Sequence, residues 1–384
     1  MRRWRMAQRG AALIGAILIA AVIAGIAVAL TSRDQFSILA VTRLRERAAV
    51  DVLVRGLEVQ AARALSVDGE DGQHDSLDES WHAARFAAAR GNLEATARLE
   101  DAQRRFNLNS LAFEPPPQAP DLPPDGAMSG ETPVEIPGTS DEATAADSPA
   151  AVEALAGIAR GLDIGVANGE ESVTSQPGKQ TDDQAALSTQ QIAAARFALL
   201  LRALDLPPEL LPALLDWLDP DSETRFPDGA EDQHYSLLEQ PYRASNGRFV
   251  DVSELRLVRG FSEEICAKLE PFVTVLNTPT PINVNTAPVE ILMSLGPGID
   301  RASAELLVSA RQAQPFRDLV SLLRHPVLAG RPVMAAGLAV GTRHFELYTR
   351  VDSDELPYFR RSLLQRNEPS RIQALRRQNF YTDG

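Results

Sequence analysis

The sequence predicts an α+β protein. It has a long N-terminal helix, an antiparallel β-sheet head and a large inserted α-helical domain containing helix-hairpin-helix (SAM-like) units. Three observations lead there. No proline interrupts residues 11–65, which are apolar at first and then amphipathic. Two half-similar units lie between Phe249 and Leu323, each a short helix, a glycine turn and a second helix. Near the C-terminus, Phe345, Leu347 and Thr349 alternate with Glu346, Tyr348 and Arg350, as a β-hairpin requires. Helical blocks placed ahead of a terminal hairpin indicate a helical insertion in an α+β body.

The first element begins with Ala11 to Leu30, which carries no charged residue. A helix of this length spans the ~30 Å hydrocarbon core of a bilayer. Arg2, Arg3, Arg5 and Arg9 precede it. Such a cluster holds the N-terminus in the cytoplasm and sends the body outward, as a single-pass membrane protein. Gly10 stands between the basic leader, 1–10, and the apolar run. A cut between Gly10 and Ala11 would retain the apolar segment in the mature chain. A secretory signal peptide cut near Ala27–Ala29 and an ordinary signal anchor are the alternatives, although the run exceeds the usual signal-peptide core. The helical spacing continues through Ile38, Leu44, Val52, Leu57 and Ala62. The spine, 11–65, is therefore half apolar and half amphipathic, and its second half needs a partner surface.

Residues 66–113 read as the first part of the head. They comprise a polar loop over 66–80, an Ala-rich, partly helical stretch from Trp81 to Arg105, and a short alternating strand, Arg105–Leu111. Residues 114–186 change character: the first half, 114–150, holds nine prolines, eight acids and no Lys or Arg. Such a stretch cannot bury enough apolar surface to offset its ordering entropy and reads as an acidic linker. A short helix, Ala151 to Ala159, interrupts it. The inserted helical domain, 187–340, opens with Ser188 and Gln191 spaced as a capping box. Pro207 and Pro208 end that helix, Glu209 to Leu218 forms the next, and an acidic turn follows. A β-hairpin over 341–366 and a tail, 367–384, close the chain.

The net charge of −14 opposes strong binding to a phosphate backbone. Cys266 is the single cysteine, so no internal disulfide can form. The sequence holds no HExxH, no GxSxG and no phosphate-binding GxxxxGK[ST] motif, and we expect no enzymatic activity. The acidic turn supplies Asp216, Asp219, Asp221, Glu223, Asp228, Glu231 and Asp232, a density of oxygen ligands that suits Ca²⁺. It is not an EF-hand loop, because the sixth position from Asp219 is Thr224 instead of glycine. Gly296 and Gly298 form the hairpin of the second helical unit. Its backbone could face a nucleic-acid phosphate, which leaves a membrane-anchored DNA-uptake protein as the alternative function. Asp300 and Glu305 beside Arg301 speak against it.

Taken together, several stretches resemble one family, the minor pseudopilin K of the bacterial type II secretion system, with a type IV pilin-like fold. They are the leader around Gly10, Arg105–Leu111, Leu214–Glu223, Gly229–Tyr235, Pro241–Gly260, Pro281–Leu292 and Phe345–Val351. The resemblance implies cleavage by prepilin peptidase after Gly10 and methylation of the new N-terminus, Ala11. It implies a place at the tip of a periplasmic pseudopilus with minor pseudopilins I, J and H, built on an inner-membrane assembly platform. Most pilin-like chains have Glu at the fifth mature position; Gly15 stands there, as the tip subunit characteristically lacks that acid. The resemblance also implies calcium, for which Asp219, Asp221, Glu231 and Asp232 are the candidate ligands. No nucleic acid is expected as a partner.

Overall fold

The computed structural model describes residues 3–72, 74–112, 188–354, 356–368 and 370–380. The acidic linker, with its expected Ala151–Ala159 helix, lies outside the described residues. The first helix, α1, runs from Arg3 to Asp71. Its 69 residues make it about 100 Å long. It therefore continues beyond the expected end at residue 65 and takes in the start of the stretch read as a loop. Tertiary contacts carry it further: Leu65 is buried against the head, and Asp68 meets Arg366.

The head is one five-stranded antiparallel sheet laid against the second half of α1. After α2 (Ser80–Ala83) come β1 (Arg85–Arg90) and β2 (Leu93–Asp101). The Ala-rich stretch expected to be partly helical is thus mostly a hairpin. The correction has a clear cause: Leu93, Ala95, Ala97 and Leu99 are buried in strict alternation, the period of a strand. Gly91, at φ +64°, takes the first position of the two-residue turn. The alanines suit helix by propensity, but tertiary packing overrides it; small side chains let α1 lie close to the sheet.

Only Phe106–Asn107 of the next segment is strand (β3), and a 3₁₀ turn follows over Leu108–Leu111. At the other end of the chain lie β7 (His344–Asp352), β8 (Tyr358–Glu368) and β9 (Arg371–Asn379). The expected hairpin is therefore a three-stranded meander, and most of the 367–384 tail is a strand. The sheet order is β1-β2-β7-β8-β9. Val50, Leu53, Val54, Leu57, Ala61 and Leu65 of α1 pack on its inner face with Trp81, Leu99, Phe345, Leu347 and Leu364. Trp81 meets Phe345 edge-on with ring centroids 5.2 Å apart. Two carboxylates of the spine, the buried Glu58 and the half-exposed Asp51, are answered from the far strands. Glu58 accepts from Arg377 and from the Ser362 hydroxyl, at 2.7 Å each, and Asp51 pairs with Arg360.

Between β3 and β7 stands the inserted helical domain. It comprises α3 (Thr189–Ala203), α4 (Leu210–Leu218), α5 (Asp232–Tyr235) and α6 (Glu263–Leu269). After β4 (Val273–Thr274) and β5 (Ile282–Asn283) come α7 (Val289–Met293), α8 (Arg301–Ala313), α9 (Leu319–Leu323) and β6 (Leu338–Ala339). The expected capping box at Ser188 and Gln191 forms at the start of α3. The first of the two half-similar units opens with a 3₁₀ helix, Val252–Leu257, and not an α-helix. Its core gathers Phe197, Leu200, Leu214, Trp217, Leu255, Leu269, Ile291, Leu295 and Leu307.

Buried asparagines join the domain to the head. The Asn109 amide donates to the carbonyls of Phe249 and Leu276 and accepts from the Phe249 amide. Asn283 reaches the Asp75 carbonyl at 3.0 Å and the Asp101 carboxylate at 2.9 Å, and Thr286 donates to the same carboxylate at 2.6 Å. Asn285 bridges Phe316 and Val340. A buried amide left without these partners would be costly, so the two segments admit few registers.

Candidate functional site

The acidic turn is positioned by α4, all of whose residues are buried. That burial delivers Asp216 and Asp219 to the C-terminal end of the helix, on one face. A floor of aromatic rings supports the turn: Trp217 meets Tyr235 edge-on at 5.2 Å, and Tyr235 stacks on Tyr242 at 5.3 Å. The Tyr235 hydroxyl accepts from the Arg259 amide, and burial pushes its pKa up to about 12. Arg259 also donates to the Gly229 carbonyl at 2.8 Å. Glycine is required at 229, because a Cβ there would lie 2.2 Å from Asp216 Oδ2 and 2.4 Å from the Arg225 carbonyl.

Within this frame Asp219, Asp221 and Glu231 each offer a carboxylate oxygen, all within 4.8 Å of one another. Asp219 and Glu231 are buried, whereas Asp221 is exposed. Asp219 Oδ1 and both Glu231 oxygens are buried and have no hydrogen-bond partner of normal geometry. Burial, then the charges of Asp216, Asp219 and Asp221, push the Glu231 carboxyl up to about 7. Burial likewise raises Asp219. Asp219 Oδ1 and the Glu231 oxygens, left without protons to accept and set beside the Asp221 carboxylate, fit a hard cation, and the lack of sulfur or imidazole donors favours Ca²⁺ or Mg²⁺ over zinc. Asp232 is not brought into this group. It opens α5, and its Oδ1 accepts from the Ala244 amide at 2.8 Å, a local loop-closing role.

A second acidic group, Asp68, Asp75 and Glu79, is equally close-set. Sequence reading missed it, because its members straddle the end of α1 and the following loop. Here the oxygens are answered. Asp75 accepts from Arg366 and from the Thr342 amide at 2.7 Å. Glu79 accepts from Trp81 Nε1 at 2.7 Å and from the Ser76 amide at 3.1 Å.

The glycine hairpin of the second helical unit is packed into the domain. A Cβ at Gly296 would meet the Pro332 carbonyl at 2.3 Å. Arg301, the cation at the hairpin, is paired with Glu290 at 2.7 Å, and Asp300 caps α8 through the Ser303 amide. These contacts favour a packing device over a phosphate-facing one.

On the spine, the face turned from the sheet also carries apolar residues, interspersed with exposed Arg45, Arg55 and Arg63. Val41, Leu44, Val52 and Val59 are exposed along it, and a Cβ at Gly56 would meet nothing within 4 Å. Ile17, Leu18, Ile19, Val22, Ile23 and Ile26 are exposed nearer the N-terminus. Over its described residues, no helix is long and apolar enough to cross a membrane. Gly10, Ala11 and Gly15 lie within α1, but their side chains fall outside the described part.

A long helix with an antiparallel sheet folded on its outer half, opened by a helical insertion, defines a pilin-like assembly subunit. A solved structure shares this fold. The crystal structure titled as the GspK-GspI-GspJ complex of the enterotoxigenic Escherichia coli type 2 secretion system contains a chain of this fold. The match has a TM-score of 0.60 at 21% identity and covers 88% of this chain and 100% of that one. Two family profiles, both described as type II secretion system (T2SS) protein K, match residues 104–278 and 282–341, together more than half of the sequence. The type II secretion system protein K of Pseudomonas aeruginosa is 36% identical over 186 residues, covering 47% of this chain and 55% of that relative. The Klebsiella pneumoniae protein K is 28% identical over 94% of this chain and 93% of its own length. The chain belongs to the type II secretion system protein K family, and it is a minor pseudopilin of that system.

Proposed function

We propose that this protein acts without catalysis, as the subunit that starts and caps a periplasmic pseudopilus. The observation that carries this is the apolar side of α1. A continuous helix that leaves Val41, Leu44, Val52 and Val59 in water, opposite a well-packed sheet, has a second helix as its natural cover. Exposed Gly56 allows such a helix to approach closely. Minor pseudopilins I, J and H are the partners of this reading; in the enterotoxigenic E. coli structure GspK stands in a complex with GspI and GspJ.

In this reading Ala11 to Leu30 is held in the inner membrane before assembly, with the N-terminus cytoplasmic and the body periplasmic. The exposed isoleucines from Ile17 to Ile26 belong in lipid and not in water. Prepilin peptidase cuts after Gly10, Ala11 is methylated, and the inner-membrane assembly platform draws the helix from the bilayer. Asp219, Asp221 and Glu231 would hold a calcium ion, which would supply structural charge neutralisation for the acidic turn. The packed hairpin at Gly296 and the pairing of Arg301 weigh against the DNA-uptake alternative.

The test replaces two stripe residues together, Val52→Asp and Val59→Asp. Both are exposed, so the unfolding free energy should change by no more than about 0.5 kcal/mol per substitution. Co-purification with pseudopilins I and J should be lost. Retained co-purification overturns the stripe as the assembly face. N-terminal mass analysis checks the anchor: a mature chain beginning at methylated Ala11 agrees, and an intact Met1 or a cut near Ala29 does not.

A further inference from the structure

Arg225 is the one cation that touches the acidic turn's inner carboxylates among the described residues. Its Nη1 donates to Asp216 Oδ1 at 2.7 Å and also to Asp219 Oδ2. Its backbone amide donates to Asp216 Oδ2 at 3.1 Å. The guanidinium therefore takes one oxygen of Asp219 and leaves the other, Oδ1, buried without a partner beside Glu231. Two further facts fix what it does there. Asp216 and Asp219 sit at the C-terminal end of α4, where the helix dipole already disfavours negative charge. A nearby cation is needed to hold them in the absence of metal. In addition, the loop is folded so tightly on Asp216 at Gly229 that the Arg225 backbone is fixed in place. The guanidinium stays beside the carboxylates whether or not an ion is bound.

We propose that Arg225 is a resident counter-ion of the acidic site. It holds Asp216 and Asp219 in place in the metal-free protein, and its charge sets how tightly and how selectively the site takes a cation. This rests on the reading of Asp219, Asp221 and Glu231 as a cation site. A fixed positive charge one carboxylate away from the ion repels it in proportion to the ion's own charge. Removing it strengthens binding of a trivalent ion more than binding of a divalent one. A residue that only orients Asp219 would do the reverse, since its loss loosens the ligand for both ions.

The experiment titrates Ca²⁺ and Tb³⁺ into the detergent-purified full chain, by calorimetry for the first and by Trp217-sensitised luminescence for the second. Wild type is compared with Arg225→Lys, Arg225→Gln and the double variant Asp216→Asn/Arg225→Gln. For R225Q the Ca²⁺ dissociation constant should fall roughly tenfold, and the Tb³⁺ constant should fall further, raising the Tb³⁺/Ca²⁺ preference. R225K, which keeps the charge, should match wild type in both. The metal-free unfolding midpoint of R225Q should drop and recover in Ca²⁺. The double variant removes one positive and one negative charge, so it keeps the site's net charge and should return to near wild-type affinity even where R225Q folds poorly. Equal or weaker Ca²⁺ binding by R225Q, or a double variant that binds as R225Q does, overturns the counter-ion role. Wild type that takes up neither ion overturns the cation reading itself, and the proposal with it; the two failures are separately visible.

Discussion

The chain builds two acidic clusters of the same size and opposite character. Asp68, Asp75 and Glu79 meet at the foot of the head, and Asp219, Asp221 and Glu231 meet in the inserted domain. In the first, Arg366, Trp81 Nε1 and the amides of Ser76 and Thr342 answer the oxygens. In the second, three buried oxygens are left unanswered, and the nearby Arg225 faces Asp216 and the other oxygen of Asp219. Proximity of carboxylates therefore does not distinguish a structural cluster from a ligand site. The hydrogen-bond inventory does, because a buried acceptor with no donor stays costly until something positive arrives.

The largest test breaks the first cluster. Arg366 contacts Asp68, Asp75 and the Thr342 carbonyl, and its side chain is mostly buried. Arg366→Ala leaves buried carboxylates unpaired and should cost about 3–5 kcal/mol in urea or guanidinium unfolding. It also turns the foot of the head into a copy of the other site, so millimolar Ca²⁺ should restore part of the loss. A full loss with no calcium response would mean the geometry there cannot hold an ion. Next in size is Glu231→Gln. A saturating ion at a hundred times its dissociation constant stabilises wild type by about 2.7 kcal/mol. The variant should show almost none of that calcium-dependent shift in unfolding midpoint, while Asp232→Asn, outside the group, should keep it. An unchanged shift in E231Q removes Glu231 from the ligand set.

How much of this was readable beforehand follows the same division. The spine, the capping box at Ser188 and the glycine hairpins were legible because each is a local pattern with a fixed period or spacing. The β1–β2 hairpin was not: its alanines suit a helix locally, and only α1 and β7 on either side make alternation pay off in burial. The β9 strand likewise depends on pairing with β8. Asp219, Asp221 and Glu231 lie close in sequence, so composition alone suggests them as one group, and the structure sets their carboxylates together; adjacency also suggests Asp232, whose Oδ1 instead accepts from the Ala244 amide. Alternation over Arg105–Leu111 puts Asn107 and Asn109 on the polar side of a short strand, yet both are buried. The available signal is their recurrence, Asn-x-Asn after an apolar residue and before Ser or Thr, at both 107–109 and 283–285.

The smallest effect sharpens the comparison from within the satisfied cluster. Asp68 is its least well served member, since Arg366 Nη1 is its salt-bridge partner at 3.3 Å. Burial, followed by the charges of Glu79 and Asp75, raises its carboxyl from 3.8 to about 6, with Arg366 opposing. The folded protein thus keeps this proton up to about pH 6, whereas the unfolded chain releases it near 3.8. Below that value the group has no effect on stability. Between 3.8 and 6 the unfolded state gains by ionising first, so stability falls as pH rises, and above 6 the penalty is constant. Asp68→Asn should therefore match wild type near pH 4 and become the more stable of the two by pH 6, with no further gain at pH 7. Denaturant midpoints at those three values measure it. A gap that is constant across the window would mean that Asp68 is ionised in the fold throughout, and that Arg366 satisfies all three acids of the head equally.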